Sequence, residues 1–403
     1  MGARSERFWI GNGRTVLTKE VCDNGSVLVD CGKILEVNRP CPNGVKRVDA
    51  EGGYIMPGFI DLHVHGGGGA DFMDATPECF AEAARTHCRH GTTALLPTTM
   101  TCEDSVLEAV IGCFLDAIKI PTGGAELLGL HLEGPFFASA GRGAQPVSEQ
   151  RIPTRTVLEH FIKLGKGHIM RWDEAPELPN TDIFAAVMRE NGITASIAHT
   201  AGLASDAYRA FDMGFSHVTH LFSATTYSHK VNGIVCGGMN EAALLRNDIT
   251  VEVIADGRHI PKETMLLAYR MKGPEKMALI TDAMRAAGTS VTKSILGSKT
   301  GGVPVVIKDG VAQLPDFSSY AGSIATMDQA LRVAHVAYGI PLTDVSCMLS
   351  MTPARIAGVG EKKGSLTVGK DADIVVMDAD FQVKRVYVGG KQFKDQRTPR
   401  PQE

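Results

Sequence analysis

The feature that most constrains this chain is a beat that repeats eight times from residue 55 onward: a short apolar run, then polar residues or glycine, then a stretch with helical spacing. The runs are GFIDLHVH (58–65), TTALLPTT (92–99), ELLGLHLEG (126–134), HIMRWDEAPE (168–177), ITASIAHT (193–200), HVTHLF (217–222), ITVEVIAD (249–256) and MALITDAM (277–284). Between them lie helix candidates such as PECFAEAARTHCRHG, SVLEAVIGCFLDAIK, TDIFAAVMRENG, SDAYRAFDMG, GMNEAALLRN and KETMLLAYRMKG, several closing in glycine, the residue that most easily takes the left-handed turn ending a helix. Strands alternating with helices read as βαβ units, and eight of them predict an α/β fold, a (β/α)8 TIM-like barrel over residues 56–359. Catalytic side chains of such a barrel project from the C-terminal ends of its strands, so function is expected at the run ends.

The two ends of the chain behave differently. Residues 1–55 and 360–403 carry short strand-like runs with glycine turns and no helical stretch, as in KKGSLTVGKDADIVVMDADFQVKRVYVGGKQF. They read as a small β domain built from both ends, each pairing with the other. After the eighth run, VPVVIKDGVAQLP reads as a hairpin turning at Asp309-Gly310, followed by helices at about 324–338 and 342–350.

A net charge of -4 and a pI near 6.4 exclude a general nucleic-acid or membrane-surface partner, since both depend on a basic field. No apolar run approaches the roughly 18 residues that span a bilayer, and MGARSERFWIGNG at the N-terminus has no apolar signal core. The nine cysteines form no CxxC pair, and their odd number points to reduced thiols. The chain is expected in the cytoplasm.

His63 and His65 stand two residues apart, a spacing that puts both imidazoles on one face of a strand. The glycines that follow let the backbone turn and leave space above them. The other run ends carry ligand-type residues too: Glu133 after the third strand, His199 after the fifth, His220 after the sixth and Asp282 after the eighth. Singly, Glu133 reads equally as a salt-bridge partner, His199 as a core histidine and Asp282 as a helix N-cap. Together on one rim they form a nitrogen and oxygen set suited to a divalent metal of the Zn, Fe, Co or Mn kind, with a position open for water.

PGFIDLHVHG, GLHLEGPF, AHT, VTHLF, ADGRHI, LITDAM and the closing GSLTVGKDADIVVMD resemble the amidohydrolase superfamily, in its N-acetylglucosamine-6-phosphate deacetylase branch, over nearly the whole chain. The resemblance implies a metal-dependent (β/α)8 barrel beside a β-sandwich formed by the N- and C-terminal segments, and a homodimer. It implies Glu133, His199 and His220 as metal ligands and His63 with His65 as a second-metal pair, so that one or two ions are held per chain. Asp282 matches the catalytic acid/base, and His259 a residue contacting substrate near the reacting amide. Gln145 with Ala144 matches a substrate loop, and Ser223-Ala224 a segment that binds the sugar. The implied reaction is hydrolysis of the acetamide of an N-acetylhexosamine 6-phosphate, first of all N-acetylglucosamine 6-phosphate, to the amino sugar phosphate and acetate. Metal-acidified water would supply the nucleophile, Asp282 the proton transfers and His259 a hydrogen bond to the oxyanion.

One departure concerns the substrate. Where the branch carries an arginine that reaches a neighbouring subunit to bind the sugar phosphate, this chain reads Phe222-Ser223-Ala224-Thr225-Thr226-Tyr227-Ser228-His229-Lys230; Lys230 is the nearest cation, with His229 beside it and Arg142 or Arg258 as further candidates. Lysine binds phosphate as a point charge without the bidentate guanidinium fork. Lys230 thus stands equally as a phosphate contact or a solvated loop lysine. The alternatives are an epimeric or unphosphorylated N-acyl sugar, another amidohydrolase reaction, and a non-catalytic barrel, which the retained ligand set argues against.

Overall fold

The structure is a computed structural model describing residues 6–395, so the outermost parts of the expected β domain, 1–5 and 396–403, lie outside the described residues. Each apolar run contains a strand: β1 (Phe59–Val64), β2 (Thr92–Pro97), β3 (Leu130–Phe136), β4 (Ile169–Glu174), β5 (Thr194–Ile197), β6 (His217–Val218), β7 (Thr250–Ile254) and β8 (Met277–Ile280). β1, β2, β3 and β8 are buried at every residue, as parallel strands covered on both faces must be.

The strands pair in parallel and in chain order. β1 joins β2, with the short strand Glu126–Leu127 beside β2, while β3 to β8 form a six-stranded sheet. Single parallel bridges, Thr98 to His131 and Val64 to Ala283, link the two sheets.

Seven helices connect the strands: α1 (Pro77–Arg89), α2 (Asp104–Ala117), α3 (Arg155–Gly165), α4 (Thr181–Glu190), α5 (Ala204–Met213), α6 (Met239–Leu245) and α7 (Lys262–Lys272). Local chemistry sets their ends. Thr76 caps α1 by accepting from the Cys79 N–H, with Pro77 in the first turn, and Gly214 at φ 115° ends α5. α3 fills the gap between β3 and β4; Thr154 caps it, and Leu158 and Phe161 are buried along it.

Strands from both chain ends share one eight-stranded sheet. Tyr54–Pro57 pairs antiparallel with Ile374–Met377 and parallel with Phe8–Val16. Phe8, Ile10, Val27, Ile374 and Tyr387 belong to a cluster packed within this sheet. The hairpin at Asp309-Gly310 forms between Val303–Lys308 and Val311–Gln313, and Lys293–Leu296 extends it to three strands.

A second hairpin, His229–Val231 with Ile234–Cys236, arises where the sequence reads as loop. It turns at Asn232-Gly233, whose φ angles of 50° and 82° are the positive pair that a two-residue hairpin turn requires.

Candidate metal centre

The strand ends converge as the barrel rule requires. His63 lies on β1 and His65 just after it, Glu133 on β3, His199 two residues past β5, His220 two past β6 and Asp282 two past β8. His199, His220 and Asp282 take positive φ values of 46°, 29° and 50°. For residues with a Cβ, such backbone costs about 1–3 kcal/mol each and persists where neighbours hold it. The Asp282 N–H donates to the His63 carbonyl at 2.9 Å, and the His220 carbonyl accepts from the Ser223 N–H at 2.8 Å. Strain at three ligand-type positions turns their side chains off the strands toward one point.

The hydrogen-bond inventory of the four rings shows what that point needs. The Nδ1 atoms of His65, His199 and His220 face the carbonyl oxygens of Thr98 (3.3 Å), Gly141 (3.2 Å) and Ser223 (3.1 Å), and the Nδ1 of His63 faces Glu252 Oε1 at 3.0 Å. Each partner only accepts, so each Nδ1 carries a hydrogen and each Nε2 turns inward, where it offers a lone pair whenever it carries no proton.

Those Nε2 atoms face carboxylates and, between His63 and His65, each other at 3.3 Å. Glu133 Oε1 lies 2.9 Å from His220 Nε2, 3.0 Å from His199 Nε2 and 3.5 Å from His63 Nε2, while Oε2 lies 3.4 Å from His65 Nε2. Asp282 Oδ1 is 3.4 Å from His63 Nε2 and 3.2 Å from His65 Nε2. Lone pairs crowding lone pairs are satisfied by protons or by cations. Two groups have donor atoms within 4.8 Å of one another, His63–His65–Glu133 and Glu133–His199–His220, and Glu133 belongs to both. The donor set fits a divalent metal.

The electrostatics carry the same demand. Burial works to lower the basicity of His65 and His220. The Asp282 bond and the Glu133 charge for His65, and the Glu133 bond and charge for His220, outweigh it and raise both to about 9. Burial likewise pushes the carboxyls up, yet the surrounding imidazoles hold Glu133 well below its ordinary range and Asp282 below its own.

Beneath this layer lies a second polar layer that the sequence reading missed. Arg171 on β4 forks onto Glu252 on β7 at 2.6 and 3.0 Å. Its Nη2 also donates to His131 Nδ1 at 2.7 Å, and His131 Nε2 donates to Asp173 Oδ2 at 2.8 Å. His217 Nε2 reaches Glu252 Oε2 at 3.2 Å, and Thr281 donates to Asp61 Oδ2 at 2.6 Å. The available signal was alternation: Asp61 precedes His63, and His131 precedes Glu133, by two positions on the same strand face.

A cavity of about 630 Å³ opens above the cluster, within the range that takes a small ligand. His65, Glu133, His199, His220 and Asp282 floor it, and Ala144, Gln145, Ser223, Ala224, His259 and Tyr320 line it. Gln145 has its amide engaged: Nε2 donates to Glu133 Oε2 at 2.7 Å, and Oε1 accepts from the Thr101 N–H at 3.0 Å. A buried carboxylate oxygen needs a donor, so Gln145 holds Glu133 as well as walling the cavity. His259 Nδ1 donates to Asp256 Oδ2 at 2.7 Å.

Lys230 lies outside this cavity. Antiparallel pairing in the 229–236 hairpin carries it outward, where it is exposed and absent from the lining. Among the described lining residues there is no lysine or arginine.

A fold of parallel strands with this donor set at their ends defines a class, and residues 54–393 match the Amidohydrolase family. The chain belongs to that family, in the branch of the N-acetylglucosamine-6-phosphate deacetylases. It is similar to the N-acetylglucosamine-6-phosphate deacetylase of Bacillus subtilis, at 34% identity over 94% of this chain and 95% of that one. The N-acetylgalactosamine-6-phosphate deacetylase of Escherichia coli is 29% identical, over 94% of this chain and 97% of its own. The crystal structure of N-acetylglucosamine-6-phosphate deacetylase from Pasteurella multocida superposes with a TM-score of 0.89 at 26% identity, covering 96% of this chain and 99% of the other.

Proposed function

We propose that this chain hydrolyses the acetamide of N-acetylglucosamine 6-phosphate, giving acetate and the amino sugar phosphate. The observation that carries the reading is the set of four inward Nε2 lone pairs around the Glu133 and Asp282 carboxylates at the floor of a sugar-sized cavity. The deacetylase activity named for its relatives agrees with it. The decisive experiment measures acetate release from N-acetylglucosamine and N-acetylgalactosamine, each with and without the 6-phosphate. Turnover of the phosphorylated gluco epimer should be highest. Preference for the galacto epimer would favour the activity named for the Escherichia coli relative, and no release from any sugar would defeat the reading.

The strands are read as a closed (β/α)8 barrel of residues 56–359, with 1–55 and 360–403 as the β-sandwich. Closure is supported by the two bridges between the sheets and by Arg171, which reaches from the fourth strand to Glu252 on the seventh and to the Leu62 carbonyl on the first, a span that agrees with an enclosed interior. The separate core of the terminal sheet supports the division. Nine free thiols fit a reducing cytoplasm, and no helix among the described residues is long and apolar enough to cross a membrane.

Glu133, His199 and His220 would hold one ion, of Zn, Fe, Co or Mn, and His63, His65 and Glu133 a second. The chemistry supplied there when an ion is bound is Lewis acidity, which polarises a carbonyl and acidifies water. Asp282 Oδ1, on the floor beside His63 and His65, takes a proton from the attacking water and returns it to the departing amide nitrogen. Asp256 fixes the His259 ring in the cavity wall, from which His259 hydrogen-bonds the developing oxyanion. Gln145, Ala144, Ser223 and Ala224 enclose the sugar. Replacing His63 and His65 together by Asn should reduce the metal content from two ions per chain to one; unchanged elemental analysis would remove the second position.

The phosphate needs a cation that the cavity's own lining lacks. We assign Lys230 to a neighbour's cavity in a homodimer. In support, Ile234 and Val235 on the same hairpin are 70% and 68% exposed, an apolar tip beside the cation that a second copy would cover. Lys230→Ala should raise KM about 10-fold for phosphorylated sugars alone, as loss of one charged hydrogen bond does. An equal KM ratio between phosphorylated and free sugars in variant and parent would discard Lys230.

A further inference from the structure

The four rings are not held alike. Three give their Nδ1–H to backbone carbonyls; His63 alone gives it to a carboxylate, Glu252 Oε1 at 3.0 Å. A carboxylate acceptor draws that hydrogen more strongly, which fixes the tautomer, orients the ring and makes the opposite nitrogen a better metal donor.

Glu252 is itself clamped. Arg171 forks onto both its oxygens at 2.6 and 3.0 Å, and His217 Nε2 donates to Oε2 at 3.2 Å. The same Arg171 Nη2 donates to the carbonyl of Leu62, the residue before His63, at 3.3 Å. One buried guanidinium thus ties down both the carboxylate behind the ring and the backbone that carries it.

We propose that Glu252, gripped by Arg171, is a positioning residue that sets the tautomer and donor strength of His63 and so decides whether an ion is held at the His63–His65–Glu133 position. The inference rests on the proposed metal-dependent function. Glu252 touches neither substrate nor the cavity lining; it acts through His63. The Glu133–His199–His220 position, whose rings lean on backbone carbonyls, has no hydrogen bond to the Glu252 carboxylate.

The test is metal content and affinity, read separately from activity. Full-length protein is reconstituted with zinc, and ions per chain and binding isotherms are measured for the parent, for Glu252→Gln and for the double variant Arg171→Met with Glu252→Gln. The double variant removes both charges together and keeps the test valid if the single variant fails to fold. The parent should bind two ions, and each folded variant one tightly with the second weakened about 10- to 100-fold, the effect of losing an outer partner of a ligating histidine. In cadmium-113-loaded parent with nitrogen-15 histidine, His63 Nε2 should couple to the metal and Nδ1 should not. Two ions bound with parental affinity in the variants, a parent binding one ion, or coupling through Nδ1 would each overturn the inference while leaving the hydrolase standing. A parent that binds no ion would overturn both.

Discussion

Glu133→Gln is expected to empty both ion positions at once and abolish acetate release. Oε1 serves His63, His199 and His220, Oε2 serves His65, and both candidate groups contain this one carboxylate. Gln keeps the shape but loses the negative charge, and it brings an N–H₂ to where the Gln145 amide already donates. The loss in metal affinity should exceed the roughly 100-fold that follows removal of an outer partner, since a direct ligand of two sites is lost. Elemental analysis and acetate release measure it. A variant that retained two ions per chain would show that Glu133 is not the shared ligand.

Asp282→Asn separates chemistry from binding. Asp282 is in neither ligand group, so the variant should keep its ions and its melting temperature. What it loses is a carboxylate able to take and return a proton, a step worth about 10²- to 10⁴-fold in rate, or roughly 3–5 kcal/mol of barrier. The fall should appear in kcat with little change in KM, because the substrate's contacts are untouched. Near-parental kcat would reject Asp282 as the acid/base.

Much of this was legible because it is local. Seven of the eight strands lie inside their apolar runs and the third overruns its run by two residues, since a strand buried on both faces is mostly apolar along its length. α1 begins at Thr76-Pro77 and α5 ends at Gly214, signals carried by two or three residues each. His63, His65, Glu133, His199, His220 and Asp282 stood out because parallel strands put their ends on one rim, so a position in the run was already a position in space. Where neighbours in space are far apart in sequence, the reading failed. Arg171 and Glu252 are separated by 81 positions, and His63 and Glu252 by 189, and nothing near any of them says they touch. Asn232-Gly233 is a turn signal, yet only the hairpin it makes shows that Lys230 is carried away from its own cavity.

The sequence by itself determined the order of strands and helices and the type of residue at each strand end, because period, caps and turn residues act over a few positions. Only the tertiary structure decided that Glu133 is shared between two ligand groups, that the Nδ1 of each of the four candidate ligand rings is spent on an acceptor, and that His63 leans on a buried Arg–Glu pair. Those are relations among hydrogen-bond partners brought together from separate strands, where directional bonds and burial, not sequence spacing, choose the partner.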